Sequence, residues 1–284
     1  MIDLHTHTKY SDGTWDVTKL LKEAQSAKIE VLSITDHDSV KAYKELEEIN
    51  YKKIYEGKII SGCEFSTVYD GIFFHMLAYD FDINKVNKFI QNNYKPIDLQ
   101  KEFDYMLNSC RTNKIIVGDI SYNNIGWPID TIYKEIRKYE ENKEYFNNEE
   151  WNDIDIFYNS CITNKDFPVY VDFSIHYPNA SIIKEAVKEA GGKLFVAHIF
   201  KYKLKDAEKF LEELKNHNII DGIEVYHSSF NDKQINWLEK YCNRNDLLMS
   251  GGSDCHGNKK ANRKIGIGFR NLNISREILA KWNI

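Results

Sequence analysis

The sequence has little of several features that define whole classes of protein. Its 284 residues include four prolines and five cysteines, and no stretch approaches the roughly 18 consecutive apolar residues of a membrane span. The cysteines are odd in number and far apart, with no CxxC pair, which argues against a disulfide framework and a cysteine-based zinc site. The first residues have no secretory-signal pattern. We therefore expect a reduced, cytoplasmic protein.

Neither sign of charge dominates the sequence. The formal net charge is −5 with 29% charged residues, whereas a protein that binds nucleic acid through bulk charge should be clearly basic. These figures exclude bulk nucleic-acid binding but not a substrate held by a few local cations. With 42% hydrophobic residues, the chain can bury a large core. Its length suits one large domain, such as an α/β barrel, or two ordinary ones.

Short apolar runs alternate with segments of helical periodicity along most of the chain. Between the runs, apolar residues such as Leu20, Leu21 and Ala24 recur at helical spacing. This alternation predicts the α/β class, built from parallel βαβ units. The predicted strands are Ile2–Leu4, Val31–Thr35, Ile59–Phe65, Ile72–Ala78, Leu194–Ala197, Gly222–Tyr226 and Leu247–Ser250.

One region departs from this alternation. Residues 84–167 are rich in Asn, Lys, Glu and Tyr, and their strands are unclear. Aromatic residues such as Trp127 and Trp151 argue against a disordered loop, because disordered segments have few aromatics. We predict a helical insertion at 84–167 within a main unit formed by 1–83 and 168–284.

Six of the nine histidines lie on or just after a predicted strand, with carboxylates beside them. In parallel α/β folds the carboxyl ends of strands converge on the active site. Residues two apart on an extended segment point the same way, so His5 and His7, and likewise Asp254 and His256, can face one ion. Imidazole and carboxylate together suit zinc, manganese or iron. The six histidines are His5, His7, His37, His75, His198 and His256.

Some residues remain ambiguous from the pattern alone. Asp12 lies in a Ser-Asp-Gly turn, where turn chemistry explains it as well as metal binding does. His227 follows a predicted strand and is either a residue at the mouth of the site or an ordinary loop residue. Cys63 and Cys255 are interpreted as structural. A general acid is not readable, and Asp38 and His227 are the candidates.

Taken together, the motifs resemble the PHP (polymerase and histidinol phosphatase) family of metal-dependent phosphoesterases. Within that family the chain is most similar to the TrpH-like group, which includes nucleotide phosphatases and 5′-to-3′ exoribonucleases. The motifs are Asp3-Leu4-His5-Thr6-His7-Thr8, Tyr10-Ser11-Asp12-Gly13, Ile34-Thr35-Asp36-His37-Asp38, Gly62-Cys63-Glu64, His75, Ala197-His198, Gly222-Ile223-Glu224-Val225-Tyr226 and Gly252-Ser253-Asp254-Cys255-His256-Gly257.

The resemblance implies a distorted seven-stranded β/α barrel that binds up to three metal ions. Glu64 would bridge the first two ions, and the resemblance makes Asp12 a ligand. The implied sets are His5, His7, Glu64 and Asp254 for the first ion, Glu64, His75 and His198 for the second, and Asp12, His37 and His256 for the third.

The chain departs from the TrpH-like pattern at two places that bear on substrate binding. The group usually has Ala-His-Pro with an arginine soon after, where this chain has Lys201. In the insertion, the group's Arg-Pro-His stretch is replaced by Gly126-Trp127-Pro128-Ile129. Trp127 could stack on a base. The cations that could replace the missing arginines are Lys201, Lys203, Lys259, Lys260 and Arg263.

We therefore expect a phosphoesterase that uses two or three Mn, Fe or Zn ions to activate water against phosphate esters of nucleotides or short oligonucleotide ends. Glu64 and Asp254 would be the central carboxylates. The alternatives are a phosphatase of the histidinol-phosphate type, an amidohydrolase-like C–N hydrolase and a non-catalytic metal-binding module. Amidohydrolases commonly bridge their metals with a carboxylated lysine, and the bridging position here is Glu64. The exact substrate and oligomeric state stay open.

Overall fold

The computed structural model describes residues 1–94, 98–163, 167, 169–172, 176–260, 262–268 and 271–283. Within these residues, seven strands form one sheet whose spatial order is the chain order. The strands are β1 (Ile2–Asp3), β2 (Val31–Ile34), β3 (Lys58–Tyr69), β4 (Ile72–Tyr79), β5 (Lys193–Val196), β6 (Gly222–His227) and β7 (Leu248–Gly252).

The two ends of the sheet meet and form a barrel. The Leu4 main-chain N–H donates to the Gly251 carbonyl at 3.1 Å, and the His7 N–H donates to the Cys255 carbonyl at 2.8 Å. These bonds join the chain after β1 to the chain around β7. The predicted seven-stranded α/β barrel is confirmed.

The predicted parallel construction does not extend to β4, which runs antiparallel to both β3 and β5. The reason is local, since only Asp70 and Gly71 separate β3 from β4. Both residues have left-handed backbone, with φ of 48° and 73°, and a two-residue turn can only reverse the chain. The hairpin places His75 opposite Ser66, two residues beyond Glu64 on β3.

Helices surround the barrel, and the first shows how the sequence places them. Asp16 caps α1 by accepting from the Lys19 N–H at 2.7 Å, which satisfies one unpaired donor of the first turn. The predicted apolar face of α1, including Leu20, Leu21 and Ala24, is buried. The helices around the barrel are α1 (Val17–Ser26), α2 (Lys41–Glu48), α3 (Ile83–Asn93), α8 (Ala180–Glu189), α9 (Ala207–Asn216) and α10 (Asp232–Asn245).

A separate apolar cluster lies in the region predicted as an insertion. Phe103, Ile132 and Phe157 are buried there together with Val68 and Phe73 from the β3–β4 hairpin. The outer end of the β3–β4 hairpin therefore forms part of this cluster. The helices of this region are α4 (Leu99–Thr112), α5 (Pro128–Ile136), α6 (Asn148–Asn152) and α7 (Ile154–Phe157).

Helix α3 packs on the barrel side, although the predicted insertion begins at residue 84. Its Val86 is buried in the same cluster as Val187 of α8. The predicted boundary residue Pro168 lies outside the described residues. The division into 1–83 with 168–284 and an insertion of 84–167 stays a prediction. In the described part of the chain, no helix has the length and apolar character needed to cross a membrane.

Candidate metal centre

The nine residues predicted as ligands lie together at one end of the barrel. Each belongs to a group of histidine and carboxylate side chains in which one nitrogen or oxygen atom from every member lies within 4.8 Å of those of the others. They come from chain positions as far apart as His5 and His256, because parallel strands end at the same edge. The groups are His7, Asp12, His37 and His256; His5, His7 and Asp254; His5, Glu64 and His198; and His37, Glu64 and His75.

Glu64 is buried at the middle of these groups. Its Oε2 lies 3.0 Å from His5 Nε2 and 3.2 Å from His7 Nε2. Its Oε1 lies 3.0 Å from His75 Nδ1 and 2.7 Å from His198 Nε2. Each carboxylate oxygen thus faces a different pair of histidines. A carboxylate in this position could offer one oxygen to each of two ions.

His5, His7 and Asp254 form the group next to the Glu64 Oε2. The two Nε2 atoms are 3.1 Å apart, and Asp254 Oδ1 lies 3.3 Å from His7 Nε2. A tetrahedral zinc ion with bonds of about 2.0–2.1 Å to nitrogen would separate its ligand atoms by about 3.3–3.4 Å. The observed spacing therefore fits one ion shared by these side chains.

Asp12 and His37 contain two atoms that are buried without a hydrogen-bond partner, Asp12 Oδ1 and His37 Nδ1. Asp12 lies 3.2 Å from His256 Nε2 through Oδ2 and 3.7 Å from His7 Nδ1 through Oδ1. Buried polar atoms are nearly always paired, and an ion would supply the partner. The donor set therefore fits a metal at this position too.

The ligands predicted for the second ion, Glu64, His75 and His198, do not form one group in the structure. His75 groups with His37 and Glu64, whereas His198 groups with His5 and Glu64. Both histidines still face the same Glu64 oxygen, at 3.0 and 2.7 Å. The assignment of particular ligands to particular ions stays a proposal.

The carboxylates of the centre are held ionised by their surroundings. Burial alone would raise the pKa of Glu64, but nearby His37, His5 and His75 outweigh burial and lower that pKa well below its usual range. For Asp254, burial is likewise outweighed, here by Lys201, Arg263 and His5, so its pKa is also lowered. Ionised carboxylates are the form that binds cations.

The histidines fall into two electrostatic classes. Burial opposes a charge on His7, yet Asp254 and Glu64 raise its pKa to about 9. Burial prevails for His37 and His256, whose pKa values fall to about 3 and about 4. His37 and His256 are therefore neutral near pH 7, as metal ligation requires.

Glu224 supports two of the histidines and had no assigned role in the sequence analysis. Its Oε1 lies 2.7 Å from His5 Nδ1, and its Oε2 accepts the His198 main-chain N–H at 2.7 Å. A carboxylate behind a ligand histidine fixes the ring's orientation and makes the ring more basic. The signal was a glutamate between Ile223 and Val225, since alternation points its side chain opposite to these two apolar neighbours.

Cations border the centre on the Asp254 side. The Lys201 Nζ is 3.5 Å from Asp254 Oδ2, and the Arg263 guanidinium donates to the same oxygen. Lys259 Nζ lies 2.9 Å from Asp12 Oδ2. Lys203, also predicted to bind substrate, instead pairs with Glu149 of the insertion region at 3.1 Å. Lys201 therefore lies beside the predicted ligand Asp254, whereas Lys203 contacts the insertion region.

The remaining predicted residues differ in their distance from the centre. His227 Nε2 is 3.3 Å from Asp254 Oδ2, so this histidine borders the centre. The Asp38 carboxylate accepts the Ser66 N–H at 2.8 Å, and burial raises its pKa to about 7. Trp127 is 53% exposed and precedes α5. In the described residues it makes no hydrogen bond or ring contact with the nine predicted ligands.

Comparison with known proteins agrees with this arrangement. A family model described as the PHP domain matches residues 3–153, which is more than half of the chain. The chain belongs to the PHP domain family. PHP membership, together with the donor set at the barrel end, supports a metal-dependent hydrolase of phosphoric esters.

Similar curated proteins match this PHP chain over a limited segment. The chain is 35% identical over 80 residues to a 5′-3′ exoribonuclease of Haemophilus influenzae. It is 33% identical over 81 residues to the 5′-3′ exoribonuclease Rnm of Escherichia coli. Each match covers 28% of this chain and 28% of the relative.

Solved structures resemble this PHP chain over nearly its full length. A predicted metal-dependent phosphoesterase from Bifidobacterium adolescentis has a TM-score of 0.63 and 22% identity, covering 98% of this chain and 95% of its own. An amidohydrolase from Chromobacterium violaceum has a TM-score of 0.66 and 17% identity, covering 99% and 96%. At these identities the likeness shows the shared fold alone.

Proposed function

We propose that this PHP protein is a metal-dependent phosphoesterase of the TrpH-like group that hydrolyses phosphate esters of nucleotides or short oligonucleotide ends. The observation that carries the proposal is the Glu64 carboxylate, whose two oxygens each face a separate histidine pair at 2.7–3.2 Å. The limited similarity to 5′-3′ exoribonucleases supports a nucleic-acid-related substrate.

The nine clustered residues would hold two or three divalent ions. The first would take His5, His7, Glu64 and Asp254, the second Glu64, His75 and His198, and the third Asp12, His37 and His256. When bound, such ions supply a water of lowered pKa and neutralise charge on phosphoryl oxygens. Mn, Fe and Zn all suit these ligands.

The protein's own side chains would then orient the substrate. Lys201 and Arg263 reach the Asp254 Oδ2 from outside the histidine groups, where they would bind phosphoryl oxygens. His227 is better placed than Asp38 to give a proton to the leaving oxygen. Its Nε2 borders the centre, whereas the Asp38 carboxylate is bound to the Ser66 N–H.

The helical region of residues 84–167 would form a cap that selects the substrate. The outer end of the β3–β4 hairpin packs into that region's apolar cluster through Val68 and Phe73. On the same strand, His75 contacts the Phe73 ring at a centroid distance of 5.3 Å. The cap is therefore anchored on the strand that carries a predicted ligand. Loops at this end of a barrel commonly carry specificity.

A metal and substrate screen tests the proposal. Protein purified without chelator should contain more than one transition-metal ion per chain by elemental analysis. With added manganese it should release phosphate from nucleotides or 5′-phosphorylated short RNA and hydrolyse p-nitrophenyl phosphate. Glu64→Gln, which keeps the side chain's size, serves as the inactive control.

The outcomes of this screen separate the candidate functions. One metal or fewer per chain after manganese reconstitution would contradict the cluster. Good turnover of histidinol phosphate with none of nucleotides would replace the substrate class and keep the metal chemistry. Hydrolysis of dihydropyrimidine amides alone would favour a C–N hydrolase. Metal binding without any turnover would favour a non-catalytic module.

A further inference from the structure

Tyr202 bonds to two of the predicted metal ligands at once. It ends the short helical segment Ile199–Tyr202 that follows β5, and it is buried, with 6% of its surface exposed. Its phenolic oxygen accepts the His75 main-chain N–H at 2.8 Å and lies 2.9 Å from His198 Nδ1. One hydroxyl therefore joins a ligand on β4 to a ligand after β5.

His198 needs this external support because its backbone is strained. Its φ of 24° is left-handed, a conformation that is unfavourable for a non-glycine residue and persists only where the surroundings hold it. Glu224 holds the main chain through the His198 N–H at 2.7 Å. Tyr202 holds the ring at Nδ1. With both bonds in place, His198 Nε2 faces the Glu64 Oε1 at 2.7 Å.

We propose that Tyr202 is a positioning residue that keeps His75 and His198 together around the Glu64 Oε1 and makes His198 Nε2 the nitrogen available to an ion. A phenolic oxygen can accept two hydrogen bonds. It can therefore accept from the His75 N–H and from a protonated Nδ1 of His198 together. The Nε2 lone pair is then free for a metal. The inference rests on the proposed metal-dependent function.

The phenol can be removed without removing the packing around it. The Tyr202 ring lies 5.5 Å from the His198 ring and 6.2 Å from the Phe74 ring, measured between centroids. Phenylalanine keeps these ring contacts and loses only the hydroxyl. Tyr202→Phe therefore isolates the hydrogen bonds to His75 and His198.

Manganese affinity of the full chain, measured by competition with a chelator, tests the role. Tyr202→Phe should weaken one bound ion by about 10–100-fold, as expected for a partner behind a ligand histidine. The matched control is Tyr133→Phe, which removes a buried hydroxyl that donates to the Trp151 carbonyl at 2.8 Å in the insertion region. The control should leave manganese affinity unchanged. Cooperative melting of both metal-free variants is the check that they are folded.

A double variant separates positioning from a general structural effect. If Tyr202 acts through its bonds to the two histidines, then Tyr202→Phe should weaken manganese binding less in a His198→Ala background, where only the His75 bond remains, than in the wild-type chain. Wild-type affinity in Tyr202→Phe, or additive losses in the double variant, would overturn the inference and leave the proposed function standing. A wild-type chain that binds no manganese would overturn both.

Discussion

Carboxylates are buried both at the barrel end and in the insertion region, but the pKa values of Glu64 and Asp254 shift in the opposite direction to that of Glu102. At the barrel end, histidines and cations outweigh burial and lower the pKa of Glu64 and Asp254. In the insertion region, burial alone raises the pKa of Glu102 to about 7. The first arrangement stabilises concentrated negative charge, as cation binding requires, whereas the second disfavours it. The contrast is between carboxylates that histidines and cations keep ionised and one that burial makes harder to ionise.

The strongest test of this contrast lies within the centre. Glu64→Gln should lower kcat/KM for p-nitrophenyl phosphate by on the order of 10³-fold, because the variant loses charge at the point shared by two histidine pairs. Asp12→Asn should lower it by only about 10–100-fold, since Asp12 belongs only to the group that it forms with His7, His37 and His256. Steady-state kinetics with saturating manganese measure both. Equal losses would mean that all three ion positions contribute equally.

Substitution of the two lysines that flank Tyr202 compares the contributions of the barrel end and the insertion region to substrate binding. Lys201→Ala should raise KM for a phosphorylated substrate by about 10-fold or more, because it removes a cation beside Asp254. Lys203→Ala should change KM by less than about 3-fold, since its exposed pair with Glu149 is worth little. The two KM values, measured side by side, check this. A larger effect at Lys203 would place substrate binding at the insertion.

Glu102 predicts a pH dependence of stability that belongs to the insertion region. The unfolded carboxyl ionises near pH 4.5 and the folded one near 7, so the native state increasingly disfavours ionisation as pH rises through this window. Glu102→Gln should therefore be nearly neutral at pH 4 and stabilising by on the order of 2–3 kcal/mol at pH 8.

Denaturant unfolding at pH 4 and pH 8 measures the effect of Glu102→Gln. The control is Glu144→Gln, which replaces an exposed glutamate of the same region. It should change the free energy of unfolding little at either pH. A gain that does not depend on pH would show that Glu102 is not destabilised by its charge.

The smallest expected effect concerns Trp127. If this half-exposed ring stacks on a base, Trp127→Ala should raise KM for a nucleotide by about 5-fold, near the lower end of the 1–3 kcal/mol of base stacking. Hydrolysis of p-nitrophenyl phosphate should stay nearly unchanged, because this compound has no base. Equal losses on both substrates would indicate that Trp127 supports folding and not recognition.

Much of the site was predictable because its signals are local. The alternation of strands with helices predicted the α/β class, and the resemblance to the PHP family implied the seven-stranded barrel. The i, i+2 spacing of His5 and His7 predicted that both rings face one point. Asp70-Gly71 was also a readable turn, and reading it would have predicted the antiparallel β4. The packing of the insertion was harder to predict. Its apolar cluster includes Val68 and Phe73 from the β3–β4 hairpin, which lies outside the insertion in the sequence.

The sequence by itself determined the kinds of side chain available and their positions relative to strand ends. Only the tertiary structure decided which of these side chains meet. Lys201 and Lys203 are two residues apart, yet one faces Asp254 and the other Glu149. Glu224 lies 219 positions from His5 and bonds to its ring. Such contacts depend on strand register and barrel closure, which arise from the packing of the whole chain and not from any local pattern.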